Sequence, residues 1–167
     1  SELNGIKQEA SDKTPPSISK SFKLFVQNEI LDDDNKWHCS YCNDDVCAYK
    51  KTDIWTAPEV LIIHLKRFYS NDGSFGGSIE KDSRAVSYQE TLDLGDYVKG
   101  ELPNESVVYK LYGVINHTGS LGSGHYTAYV KVFLSPESSG KWYFFNDERC
   151  SEVNSSDALN SENAYIL

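Results

Sequence analysis

No apolar run in these 167 residues approaches the roughly 18 needed to cross a bilayer, and no signal peptide opens the chain. Basic residues are also scarce: 16 Lys and Arg stand against 25 Asp and Glu, a net charge of −9. That deficit argues against a nucleic-acid or anionic-membrane surface and favours a basic protein or peptide tail as partner. Cysteine is sparse as well. There are four, two of them in Cys39-Ser40-Tyr41-Cys42. This is too few for a secreted disulfide scaffold and suits a metal or redox pair in a reducing compartment, cytoplasmic or nuclear. Internal repeats are missing. What remains, 39% hydrophobic and 25% charged residues, is the composition of one globular domain with a real core.

Residues 1–19 are polar, carry Pro15-Pro16 and show no periodicity, so a linker is expected there. Apolar Phe22, Phe25, Val26 and Ile30 then recur at helical spacing, which predicts a helix over Ser21–Leu31, with Asp32-Asp33-Asp34-Asn35 as a solvated turn. In Trp37-His38-Cys39-Ser40-Tyr41-Cys42 the CxxC spacing aims two thiolates at one point, as a tetrahedral zinc requires. A structural zinc wants four ligands. Cys47 and His38 are near enough in sequence to add to the set, a second CxxC elsewhere would complete it more naturally, and a redox pair is the competing reading. Val60–Phe68 is apolar and β-branched, the pattern of a central strand buried on both faces, with His64 as a core residue. Strands are further expected over Lys81–Thr91, Leu92–Val98, Val107–Ile115 and Ala164–Leu167, with a flexible excursion at 71–78 and a short helix at Ser155–Leu159. The fold class is therefore α+β, mainly antiparallel β with few short helices.

The most informative stretch is Gly119–Asp147. Tyr126, Ala128, Val130 and Val132 alternate with Thr127, Tyr129 and Lys131, the period of a half-buried strand. Trp142–Phe145 is a second aromatic strand, and Ser135–Gly140 between them is turn chemistry. An antiparallel hairpin places the start of the first strand beside the end of the second. His125 and Asn146 thereby become neighbours, an imidazole with an amide to orient it, as thiol or hydroxyl activation needs. Glycines 119, 122 and 124 leave the approach to His125 bare. A structural histidine at a strand start is the plainer alternative.

Taken in order, Trp37–Cys42 with Lys50-Lys51, Ile54-Trp55, Pro58–Phe68, Asn116-His117, Gly124–Tyr129, Trp142-Tyr143, Asn146-Asp147 and Ala164–Leu167 make the chain resemble the ubiquitin-specific proteases, papain-like cysteine deubiquitinases. Together the ordered motifs are specific where each alone is weak. The resemblance covers residues 21–167 and is strongest to members whose catalytic domain is split by an insertion. It implies that residues 20–167 are the fingers-and-palm part of the catalytic domain. It implies that His125 is the catalytic base, Asn146 its orienting residue and Asp147 a second acidic position that assists. Phe68, Gly124 and Tyr126 then flank the ubiquitin tail, and Cys39 and Cys42 are one of two zinc pairs. The tail, Leu-Arg-Leu-Arg-Gly-Gly, suits an acidic groove and a glycine-lined slot.

One family motif has no counterpart here. The nucleophile of these proteases sits in a Gly-Asn-Thr-Cys type box that opens a helix, and none occurs in this sequence. Cys47 lies in the finger turn, and Cys150 follows Asn146 too closely to stand across a groove from His125. The expectation is a half-domain, inactive alone, that supplies base and orienter to a cysteine upstream, with ubiquitin and ubiquitinated proteins as partners. The alternatives are a non-catalytic ubiquitin-binding or scaffold module and a zinc-ribbon interaction domain.

Overall fold

The computed structural model describes residues 15–70, 79–100 and 107–167. The expected linker therefore lies outside the described residues over 1–14, as does the excursion at 71–78. The described chain opens with helix α1 (Ile18–Phe25), capped by Ser17, whose hydroxyl accepts the Lys20 N–H at 3.2 Å. Helical periodicity predicts a start at Ser21 and continuation to Leu31. Instead the chain leaves the helix at Val26 and enters strand β1 (Glu29–Leu31), paired antiparallel with β4 (Ala48–Lys50). Cross-strand contacts decide the matter. Glu29 lies opposite Lys50 and pairs with it at 2.9 Å, and Ile30 lies opposite Tyr49, so tertiary pairing overrides the local helical pattern. Asp32–Asn35 is the expected turn, closed by Asn35 N–H on the Asp32 carbonyl at 3.0 Å. Between β1 and β4 lies a second hairpin, β2 (Trp37–Cys39) against β3 (Asp44–Val46).

Val60–Phe68 is not a central strand. It runs extended along the edge of the main sheet, tied to the last residues of the chain by three backbone hydrogen bonds. Ile63 N–H donates to Leu167 O at 2.8 Å, Leu167 N–H to Ile63 O at 2.9 Å and Leu65 N–H to Tyr165 O at 2.9 Å. Leu61, Ile63 and Leu65 turn inward, whereas Val60 and Ile62 are exposed by 55% and 72%, and His64 is exposed rather than a core residue. The apolar run reflects an apolar outer face, which sequence cannot distinguish from burial on both sides. Arg67 is the residue of this stretch that is almost fully buried, and it serves the backbone. Its guanidinium donates to the carbonyls of Ala164, Asp82 and Arg84, each at 2.8 Å, and of Glu162 at 3.3 Å.

Short hairpins β5 (Phe68–Ser70) with β6 (Ile79–Lys81) and β7 (Thr91–Asp93) with β8 (Val108–Lys110) follow. The single strand expected over Lys81–Thr91 is thus two short ones, with an extended connection in which Ser87 bridges Ser17. Likewise Val107–Ile115 splits at Leu111-Tyr112 into β8 and β9 (Gly113–Gly119). The main sheet has the order β12-β11-β10-β9-β13, wholly antiparallel, with β10 (Gly124–Val132), β11 (Lys141–Asn146), β12 (Arg149–Val153) and β13 (Ala164–Ile166). Helix α2 (Ser155–Leu159) leads from β12 towards β13.

Two groups of apolar side chains hold these parts. Leu94, Val98 and Val107 are buried with Phe22, Ile54, Leu61 and Tyr109 packed against them, which seats α1 on the β7–β8 hairpin. Val114, Trp142, Ala158 and Ala164 are buried to within 2% around the main sheet, so α2 seals one side of it. This anchoring makes the β10–β11 hairpin a rigid base for whatever its open end carries. Among the described residues no helix is long and apolar enough to cross a membrane.

Candidate functional site

The open end of that hairpin carries the His–Asn pair. β10 and β11 pair from Ala128↔Phe145 to Val132↔Lys141, and this register brings His125 to the strand end where Asn146 closes β11. The imidazole Nε2 lies 2.7 Å from Asn146 Oδ1. A carboxamide oxygen only accepts, so Nε2 carries the proton and Nδ1 keeps its lone pair. The pair thus sets the tautomer of the neutral ring as well as its direction, and leaves Nδ1 as the nitrogen that Asn146 does not engage. About half of the His125 side chain is accessible, as a base that must meet another group requires. Asp147 is differently placed. It opens the tight β11–β12 turn with φ of 50°, and its Oδ2 stands 3.9 Å from Nε2, beyond hydrogen-bonding reach and largely in solvent. Asn146 is the hydrogen-bonding neighbour, and Asp147 contributes only charge.

Gly119 and Gly124 face each other where β9 turns into β10. Gly119 has φ of +103°, and a Cβ there would come within 2.5 Å of the Ser123 carbonyl. A Cβ on Gly124 would fall 2.1 Å from His117 Nε2 and 2.7 Å from the Thr118 carbonyl oxygen. These two glycines are needed for close packing as well as for a bare approach, whereas a Cβ on Gly122 would meet nothing.

Phe68 and Tyr126, named from sequence, lie in one aromatic cluster with two residues that sequence reasoning did not assign. His117 sits 4.7 Å from Tyr126, 5.7 Å from Phe68 and 5.6 Å from Tyr165, ring centre to ring centre. Lys81 reaches into the cluster, with Nζ 3.1 Å from His117 Nδ1 and 2.7 Å from the His117 carbonyl oxygen. Burial, reinforced by the Lys81 charge, holds the His117 pKa below the ordinary histidine range. Alternation along β9 would have marked His117 as a cross-strand partner of Tyr126, but only the fold could bring Lys81 to it. Buried Asn116 is a strut on the other face: its amide donates to Thr127 Oγ1 at 3.3 Å and its carbonyl accepts from Ser161 Oγ at 2.6 Å.

Cys39 ends β2 and Cys42 lies in the turn that follows. The Cys42 and Tyr41 backbone N–H groups, then the Cys42 thiol, donate to the Cys39 sulfur and hold its pKa below the usual thiol value. The other candidates are engaged elsewhere. His38 Nδ1 meets Asp45 at 2.9 Å, and the Cys47 thiol lies 4.0 Å from Asp33 Oδ1. Among the described residues no three potential ligands converge. Cys150 lies opposite Phe145 on β12, within the same hairpin system as Asn146. The large groove of about 550 Å³, walled by Ile62, Leu92, Tyr109, Tyr112, Ile115 and Leu167, does not include the His125–Asn146 pair. The pair sits at an open strand end, apart from that cavity.

Comparison with known proteins identifies the family. The family model for ubiquitin carboxyl-terminal hydrolase (UCH) matches residues 3–167. Ubiquitin carboxyl-terminal hydrolase 25 of Arabidopsis thaliana is 43% identical over 152 residues, 90% of this chain and 21% of that protein. Ubiquitin carboxyl-terminal hydrolase 12 of Saccharomyces cerevisiae is 38% identical over 169 residues, 99% of this chain and 13% of that protein. Among solved structures, a yeast SAGA DUBm superposes with a TM-score of 0.73 at 29% identity, over 90% of this chain and 32% of that one. The SAGA Ubp8/Sgf11/Sus1/Sgf73 DUB module bound to ubiquitin aldehyde gives 0.72 at 28%, over 93% and 33%. The chain spans about a fifth or less of those two curated relatives and about a third of the matched structural chains. With a family model covering nearly every residue and the same mainly antiparallel fold in its structural neighbours, the chain belongs to the ubiquitin carboxyl-terminal hydrolase family.

Proposed function

We propose that this chain is the base-bearing part of a cysteine-type deubiquitinase, working with a nucleophilic cysteine that lies elsewhere in the same protein. The observation that carries the reading is the 2.7 Å contact of His125 Nε2 with Asn146 Oδ1, which leaves Nδ1 as the free base. In this scheme Nδ1 takes the thiol proton, and the thiolate adds to the carbonyl carbon of the C-terminal glycine of ubiquitin. The imidazolium then returns its proton to the leaving amine as the C–N bond breaks. Water, deprotonated by the same nitrogen, hydrolyses the thioester and restores the thiol. Asn146 keeps the ring in register through both proton transfers. Asp147 adds a weak, solvent-screened attraction to the imidazolium.

Phe68, Gly124 and Tyr126 are proposed to border the path of the ubiquitin tail. Support comes from Gly124 and Tyr126 flanking His125 on β10, from the ring contacts that join Phe68 to Tyr126 through His117, and from a structural neighbour that is bound to ubiquitin aldehyde. Cys39, at the end of β2, and Cys42, in the turn that follows, are proposed as half of a structural zinc site, because that turn brings both thiols to one place and aims the Tyr41 and Cys42 N–H groups at the Cys39 sulfur. The other ligands would come from outside this chain. Such a zinc would pin the finger hairpins and take no part in the reaction. Free thiols at all four cysteines accord with a cytoplasmic or nuclear setting.

The test is cleavage of a fluorogenic ubiquitin C-terminal amide by this chain combined with the rest of the protein. Turnover that requires both parts and is lost in His125→Ala is the expected result. Ubiquitin binding without turnover in the wild-type pair would make the chain a docking module instead.

A further inference from the structure

The buried His117 ring takes no part in the chemistry above, yet it is held more firmly than packing alone requires. Only 3% of the residue is exposed. One ammonium group, Lys81 Nζ, meets both its ring Nδ1 and its backbone carbonyl, so side chain and backbone are clamped together. An ammonium has only protons to give, so Nδ1 must accept and the ring proton must sit on Nε2. That Nε2 edge lies against Gly124. In the β9–β10 register His117 is opposite Tyr126, which makes Gly124 its diagonal neighbour on the same face. The ring fills the volume a side chain at 124 would need. Gly124 is the residue immediately before the base.

We propose that His117, clamped by Lys81, is a positioning residue for His125. Its ring is the floor on which Gly124 rests, so it fixes where β10 begins and hence where the His125 imidazole stands against Asn146. The same ring carries Phe68, Tyr126 and Tyr165 on its faces and edges, so the clamp ties the base to the aromatic border of the proposed tail path. This inference rests on the proposed function for its catalytic meaning. Its geometry belongs to the chain alone.

The experiment uses the ¹⁵N-labelled 167-residue chain. Long-range ¹H–¹⁵N spectra of the wild type should show His125 as a single neutral tautomer protonated at Nε2. Lys81→Met keeps a long apolar stem but removes the clamp. It should move the two His125 ring nitrogens towards an averaged pair of shifts and speed amide exchange at residues 124–126 about tenfold, with β11 and β12 protected as before. Lys81→Arg, which restores a donor, should recover most of the wild-type pattern. His117→Phe, which keeps a flat ring but no acceptor, should behave as Lys81→Met does. An unchanged His125 spectrum in both Lys81→Met and His117→Phe would overturn the proposal. Equal loss of protection across β10, β11 and β12 would also overturn it, since His117 would then be general core support. Where turnover is reconstituted, Lys81→Met should lower kcat roughly tenfold to a hundredfold with KM retained. Lack of turnover in the wild-type pair would count against the proposed function and leave the spectroscopic result standing.

Discussion

Replacing Arg67 by methionine tests how the site is tied to the rest of the chain. The guanidinium is almost fully buried and donates to carbonyls on two separate segments, Asp82 and Arg84 on one side and Glu162 and Ala164 on the other. These flank Lys81 and Tyr165, so Arg67 holds together the two strands that deliver the aromatic cluster. A hydrogen bond with a charged donor contributes about 1.5–3 kcal/mol, but the buried cation also carries a desolvation cost. Methionine matches the stem and removes every donor, leaving carbonyls without partners. The net loss should be about 3–5 kcal/mol, which for a chain of this size lowers the melting temperature by roughly 6–20 °C. Urea unfolding followed by tryptophan fluorescence is the assay, with the midpoint shifting and the slope unchanged. Arg67→Lys should recover less than half of the loss, because three donors on a point charge cannot span carbonyls fixed by a planar fork. A methionine variant within about 1 kcal/mol of wild type would refute the reasoning. So would a lysine variant equal to arginine.

In the reconstituted enzyme, Asn146→Ala should lower kcat about ten- to a hundredfold, the worth of one hydrogen bond to an imidazolium. Asp147→Ala should cost less than about 1 kcal/mol, and the double change should exceed either single one; equal losses from single and double variants would contradict divided roles. Stability should depend on pH through His117, whose folded-state pKa is depressed by burial and then by Lys81. The unfolded chain binds that proton first, so this contribution is complete above the ordinary histidine pKa of about 6.5 and declines as pH falls below it. Urea midpoints from pH 7.5 to 5.5 should fall less steeply in His117→Phe than in wild type. In the whole protein, Cys39→Ser should remove one zinc per chain as read by a chelator dye after unfolding, and should destabilise the finger hairpins; unchanged zinc content would exclude these thiols as ligands.

The His125–Asn146 juxtaposition was legible in local pattern alone. An alternating strand, a turn-forming loop and a second aromatic strand leave one antiparallel arrangement, and its open end carries those two residues. The CxxC turn, helix α2 and the short C-terminal strand were readable for the same reason, since each depends on neighbours within a few positions. Where local pattern misled, the deciding partner was distant in sequence. Glu29–Leu31 continued a helical apolar rhythm but became a strand, because Ala48–Lys50 offered it a ladder and a cross-strand ion pair. Val60–Phe68 looked buried on both faces, yet it lies at the edge, because apolar character records that a surface is meant to be covered and not by what. The same limit hid Lys81. Nothing local in a lysine at the end of a short hairpin says that it will clamp a histidine 36 positions away. Periodicity and turn chemistry thus determined the β10–β11 hairpin and the two residues that meet at its open end. The burial of His117, the reach of Arg67 across two segments and the seat under Gly124 were decided only when the tertiary fold brought those segments together.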